Sequence, residues 1–177
     1  MEGFNKEAYE KVLNDTFPGL QIFVRDVNLP SVCAEKYKPG MIIKERGFTD
    51  ATPRVMGMVT THRYAILSNH MHNISMFEHG TRWALHIGQR DSHYKILDIY
   101  EYQGKTQITL LHLPDDERWK MFENTVFDIE EKIIGMTRQR FENKCCAEPI
   151  PELSTPEWLD RCAFPLGMDE NGNLFDL

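Results

Sequence analysis

The sequence predicts an α+β fold: an antiparallel β-sheet of five to seven strands packed against a long C-terminal helix, with an N-terminal helix and a Pro-rich docked tail. Three observations carry this reading. Two β-rich runs, 93–102 and 105–113, flank Gln103-Gly104 and read as a hairpin. Trp119, Phe122, Val126, Ile129, Ile133 and Met136 then recur at steps of three and four, the spacing of one helical stripe. Beyond residue 146, Pro149, Pro151, Pro156 and Pro165 change the character of the chain. The domain reading follows: 1–146 is a single α+β domain, and 147–177 is a tail with a short helix that docks on the domain or on a partner.

Taken in order, residues 5–16 read as a helix capped by Asn5, with Ala8, Tyr9, Val12 and Leu13 at helical spacing and Pro18-Gly19 as its stop. Leu20 to Asp26 alternates as a strand. Residues 27–40 carry Pro30, Pro39 and Gly40 and read as a loop; Met41 to Arg46 reads as a short edge strand. Val55 to Ser68 is rich in β-formers and fits either one bent strand or a hairpin. Residues 69–80 break the pattern. Trp83, Leu85 and Ile87 then alternate with Arg82, Ala84, His86 and Gly88 as a further strand.

Counting from the Gln103-Gly104 turn places Leu97 opposite Leu110, Ile99 opposite Ile108, Ile96 opposite Leu111 and His112 opposite Lys95. The aliphatic side of this ribbon is expected to lie under the Trp119-to-Met136 row, on a helix over 115–142 opened by Asp115. The other side, with Tyr94, Ile96, Asp98 and Tyr100, is then free to act as a binding surface. Thr155-Pro156-Glu157 is a helix start in the tail, where Trp158, Phe164, Leu166 and Phe175 are too apolar for a solvated segment.

With 177 residues the chain can bury roughly 70% of the surface its unfolded form exposes, so it needs no disulfide or metal to fold. A net charge of −7 argues against non-specific binding to nucleic acid or to an anionic membrane. The amino terminus lacks a secretory pattern and no window reaches the apolar length of a membrane span, which predicts a cytoplasmic protein. Cys33, Cys145, Cys146 and Cys162 fit no zinc-finger spacing and read as reduced thiols.

The chemical hint is histidine. Six of the seven lie between residues 62 and 93. His62, His70, His72 and His79 form the possible metal set, because an extended 70–72 segment would send both rings to the same side. No Ser elbow, phosphate loop or His-Glu-x-x-His is present. The residues therefore point first to a non-catalytic cytoplasmic binding or assembly module without a cofactor, acting through a sheet face or helix surface. A homodimer fits the spare apolar row of the long helix, and the protein or small-molecule ligand is unspecified. The alternative is a small metal-dependent enzyme, such as a hydrolase, using zinc or a similar divalent metal on those histidines.

Overall fold

The computed structural model describes residues 5–177. The chain opens with α1 (Lys6–Thr16), whose first turn is held by Asn5, the side chain of which accepts from the Ala8 N–H at 3.1 Å. Strand β1 (Gln21–Val27) follows, then the short α2 (Ser31–Ala34), β2 (Ile42–Glu45), β3 (Thr49–Ala51), β4 (His62–Ser68), β5 (His72–Asn73) and β6 (His86–Gly88). The hairpin β7 (Ser92–Tyr102) and β8 (Lys105–His112) precedes a 3-10 turn at Glu117–Phe122, α3 (Asp128–Lys144) and α4 (Pro156–Arg161).

Two sheets result: one of five strands in the order β1-β4-β8-β7-β2, and one of three in the order β3-β6-β5. The wholly antiparallel sheet is corrected here. β4 and β8 run parallel, with Tyr64 opposite Ile108 and Ile66 opposite Leu110. The chain leaves β4, builds part of the smaller sheet and the β7 strand, and returns beside β4 in the same direction. Alternation within each strand is the same for either orientation, so the pattern could not reveal this.

The hairpin register follows the count near its turn, with Ile99 opposite Ile108 and Tyr100 opposite Gln107. It slips between Ile96 and Asp98, where a bulge inserts Leu97. Beyond it Ile96 faces Leu110, Lys95 faces Leu111 and Tyr94 faces His112, each one step from the expected partner. The slip sorts the side chains. Leu97 and Leu111 join Val12, Phe122, Phe127 and Ile133 on the helix side of the sheet. Tyr94, Ile96, Ile108 and Leu110 join Phe23, Val27, Tyr37 and Tyr64 on the other.

The long helix is also corrected. It is broken between residues 122 and 128, and only α3 is long. The break has a polar cause. Lys95 is buried on the helix side and donates to the Thr125 carbonyl at 2.8 Å, while its ammonium sits 3.0 Å from the Glu130 carboxylate. Glu130 also accepts from the Phe127 N–H. A continuous helix would have used the Thr125 carbonyl internally.

Residues 81–85 are irregular, since Arg82 and Ala84 have φ of 56° and 53°. The Glu78 carboxylate organises them by accepting from the Trp83 N–H at 2.6 Å and the Leu85 N–H at 3.0 Å. Trp83 and Leu85 are thereby packed on Trp158 of α4. Further along the tail, Leu166 and Met168 enter the core, whereas Phe164 is exposed. Among the described residues no helix is long and apolar enough to cross a membrane.

Candidate functional site

The four residues expected to form a binding face are placed as follows. Tyr94 and Ile96 are fully buried, and the Tyr94 hydroxyl donates to Thr49 Oγ1 at 2.9 Å. Asp98 is buried in a bidentate pair with Arg138, both contacts at 2.7 Å. Tyr100 reaches solvent and donates to Glu142.

Of the expected metal set, His62 binds its neighbour Thr61 through Nδ1 at 2.8 Å, and His72 contacts Gln89. His70 instead meets His112 and Asp115, whose potential ligand atoms lie within 4.8 Å of one another and of His70's; His62, His72 and His79 are not part of that group. Asn69 fixes His70. Its amide nitrogen donates to the carbonyls of Asp15, Thr16 and Pro18, so its oxygen must be the atom 2.9 Å from His70 Nδ1. Nδ1 therefore carries a proton, and the buried Nε2 makes no hydrogen bond, standing 3.6 Å from the Asp115 carboxylate.

His112 is fixed as firmly. The single proton of Ser92 goes to the Gln89 carbonyl at 2.7 Å, so Ser92 Oγ accepts from His112 Nε2–H at 3.1 Å. His112 Nδ1 is then the acceptor of Ser68 Oγ–H at 2.7 Å, and Ser68 Oγ accepts from the His70 N–H at 3.1 Å. Burial, then the charge of His70, pulls the His112 pKa down to about 3.

This group does not make an ion site as it stands. The His70 and His112 rings stack at 3.8 Å with 22° between planes. Ligating lone pairs lie in the ring plane, so one ion cannot serve both without a ring turning. The Ser68–His112 contact has the reach of a nucleophile and its base. Both residues are sealed at about 1% exposure, however, and no substrate can approach.

A second constellation is open. β1 turns Phe23, Arg25 and Val27 inward, so a guanidinium occupies a position its neighbours fill with hydrocarbon. Arg25 is 4% exposed and lines a cleft of about 610 Å3. Its Nη1 donates to the Asp50 carbonyl at 3.2 Å and its Nη2 to the Phe164 carbonyl at 3.0 Å. Its Nε has no partner. Asp50 on β3 reaches Arg161 of α4 at 3.3 Å. Phe48, Phe164 and Phe175 line the same opening. Arg46 lies 4.6 Å over the Phe175 ring, and Arg90 lies 6.0 Å from the Phe48 ring.

The far wall is the tail, held by a phenol pair. The proton of Tyr37 goes to the Leu166 carbonyl at 2.7 Å, so Tyr64 donates to Tyr37 at 2.6 Å while accepting from the Leu166 N–H at 3.1 Å. Burial pushes the Tyr64 phenol up to about 12 and Tyr37 higher still, so both act as neutral donors. Glu45 closes the corner with both oxygens engaged, by the N–H groups of Gly47 at 2.9 Å and Gly167 at 2.8 Å. No motif in the sequence marks Arg25. The available signal was a lone arginine on the apolar face of an alternating strand.

No family model matches the chain, and no curated protein does. Solved structures do. The type III effector XopAI of Xanthomonas axonopodis pv. citri is 15% identical over 57% of this chain and 44% of its own, with a TM-score of 0.47. The Vis toxin of Vibrio splendidus, an ADP-ribosyltransferase, is 16% identical over 60% of this chain and 52% of its own, with a TM-score of 0.45. Exoenzyme S of Pseudomonas aeruginosa, solved with human 14-3-3 protein beta and carba-NAD, is 12% identical over 59% and 52%, with a TM-score of 0.44. The chain spans about half the length of these proteins.

The expectation of a non-catalytic module acting through that sheet face is corrected: the face is buried within the chain at Tyr94 and Ile96. The homodimer expectation is unsupported: the face expected to meet a second copy is packed within the chain, with Leu166 and Met168 of the tail in its core cluster.

Proposed function

We propose that the chain is an enzyme that binds a dinucleotide in the cleft over Arg25, cleaves its nicotinamide–ribose bond and transfers the ADP-ribosyl group. One observation carries the reading: Arg25, buried in an apolar sheet face with its Nε unpartnered, forms part of the wall of an open, aromatic-rimmed cleft. A buried cation with a spare donor suits a diphosphate, which guanidinium recognises by charge and fork geometry. The rings of Phe48 and Phe175, each with an arginine against it, suit flat heterocycles. A site of this size accommodates one ligand of nucleotide scale.

The chemistry assigns Asp50 the second role. Breaking the N-glycosidic bond leaves its electron pair on nicotinamide and develops positive charge at ribose C1′. A carboxylate beside that carbon lowers the barrier. Both oxygens of Glu45 are held by backbone N–H groups, whereas Asp50 keeps one contact, to Arg161. An acceptor oxygen or nitrogen then bonds to C1′ and releases its proton.

NAD is the dinucleotide to test first, given the carba-NAD of exoenzyme S. Titration of the full chain with NAD and assay of nicotinamide release are the experiments. Arg25→Gln is expected to weaken binding about a hundredfold. Asp50→Asn is expected to bind NAD normally and to release nicotinamide about a hundredfold more slowly. No binding at about 1 mM NAD, the upper end of ordinary KM values, removes the proposal, as does undiminished cleavage by Asp50→Asn.

A further inference from the structure

α3 covers only part of the sheet face on which it lies. Beside it, over β1 and β4, a hollow of about 720 Å3 opens between Ile22 and Leu67 of the sheet and Ile133 and Met136 of the helix. Phe17 and Ile129 border it and also border a second hollow of about 480 Å3, which runs on toward Leu13 of α1. The two adjoin as one largely apolar trough along α3, with Asp128 at the end away from Arg140. Met136 is 70% exposed at its side, so the trough is open to solvent.

The charges at the larger hollow are of one sign. Lys132 and Arg140 line it and no carboxylate does, although the chain as a whole carries −7. Positions 129, 132, 133, 136 and 140 fall on one helical stripe, so the two cations stand on the same side as the apolar wall. From Ile129 to Arg140 that stripe is about 16 Å long. The contrast on the same helix is Arg138, which is paired with Asp98. Among the described residues, neither Lys132 nor Arg140 has an ion-pair partner.

We infer that this trough binds a single-chain anionic amphiphile, a fatty-acid carboxylate, with its acyl tail along α3 and its head at Arg140 and Lys132. The apolar walls remove the tail from water, and the unpaired cations neutralise a head that would otherwise approach a negatively charged protein. The site is separate from the Arg25 cleft: the two share no lining residue.

Calorimetric titration of the full chain with dodecanoate, below its micelle concentration, tests the inference, with dodecanol as the uncharged comparator. Dodecanoate is expected to bind at about 10 μM and dodecanol about tenfold more weakly. Arg140→Glu should cost about tenfold in dodecanoate affinity, and Arg140→Lys should retain it. Met136→Glu, at an exposed position, should abolish binding while leaving the melting temperature of the free protein unchanged. Equal binding of dodecanol and dodecanoate overturns the inference. So does dodecanoate binding unaffected by Met136→Glu and Arg140→Glu, or no binding below about 1 mM. An amphipathic acidic peptide that binds the trough where dodecanoate does not would also overturn it, in favour of a protein partner.

Discussion

The His112 knot and the Arg25 cleft are both buried polar groups set in apolar sheet faces, and they end differently. Around His112 every proton has a destination: Ser68 to Nδ1, Nε2–H to Ser92, and Ser92 to the Gln89 carbonyl. The His112 ring and its two serines are closed to water and satisfied among themselves, and only Nε2 of the stacked His70 lacks a hydrogen bond. Around Arg25, Nη1 and Nη2 each reach a carbonyl from a different part of the chain and Nε reaches nothing, beside an open cleft. A satisfied polar cluster specifies packing; an unsatisfied one beside a cavity has capacity left for a ligand. Histidine attracts attention in the sequence because it does chemistry in many proteins. Here the lone arginine has the greater freedom to act.

The largest expected effect separates the two regions directly. His112→Ala removes a fully buried ring and leaves Ser68 and Ser92 without their partner, so it should lower unfolding stability by about 3 kcal/mol in urea titration. NAD affinity of the folded fraction should not change. If the His112 variant loses NAD binding while remaining folded, the division between structural knot and binding cleft fails.

A pH titration sharpens the same contrast. His112 is held near a pKa of about 3 by burial and by the charge of His70, with Asp115 pulling the other way and His72 adding to the depression. The unfolded chain has the ordinary value near 6.5 and takes up a proton first. This contribution is therefore complete above that value and is lost as pH falls from about 6.5 toward 3. It should make the protein about 2 kcal/mol less stable at pH 5 than at pH 8. Burial also lowers His62 and His93, so the difference between the wild type and His112→Gln isolates the effect of His112. Asp115 is lowered chiefly by His70, whose Nε2 stands 3.6 Å from its carboxylate, and its contribution is lost only at more acidic pH. An equal pH slope in the variant would mean that His112 titrates near its free value.

Which parts of this were legible follows from the range of the interactions. The turn at Gln103-Gly104 and the pairs Ile99–Ile108 and Tyr100–Gln107 are set within a few residues of each other, and counting finds them. The bulge at Leu97 is not local. It follows from placing Lys95 toward Glu130 and Tyr94 toward Thr49, partners 35 and 45 residues away in sequence. The broken helix has the same origin, since the Thr125 carbonyl is claimed by Lys95. Nothing near His112 in the sequence marks it, because its partners come from positions 68, 70, 92 and 115. Arg25 could have been noticed between Phe23 and Val27, but its carbonyl partner at Phe164 lies 139 residues on.

The smallest effect concerns how the tail bounds the cleft. Arg161 is a half-exposed cation paired with Asp50 at 3.3 Å, and its guanidinium lies 5.4 Å over the Trp83 ring. A pair this exposed contributes little to stability, so Arg161→Gln should cost under about 1 kcal/mol. Its effect on Asp50 is more specific. The paired cation offsets the negative charge that the proposed reaction needs at ribose C1′, so the glutamine variant should release nicotinamide a few-fold faster with NAD affinity almost unchanged. Slower release would give Arg161 the opposite role, holding the carboxylate in place. Loss of affinity with unchanged release would place the phosphates of the ligand on Arg161 as well as on Arg25. Each result assigns the residue by kinetics alone, because the fold hardly depends on it.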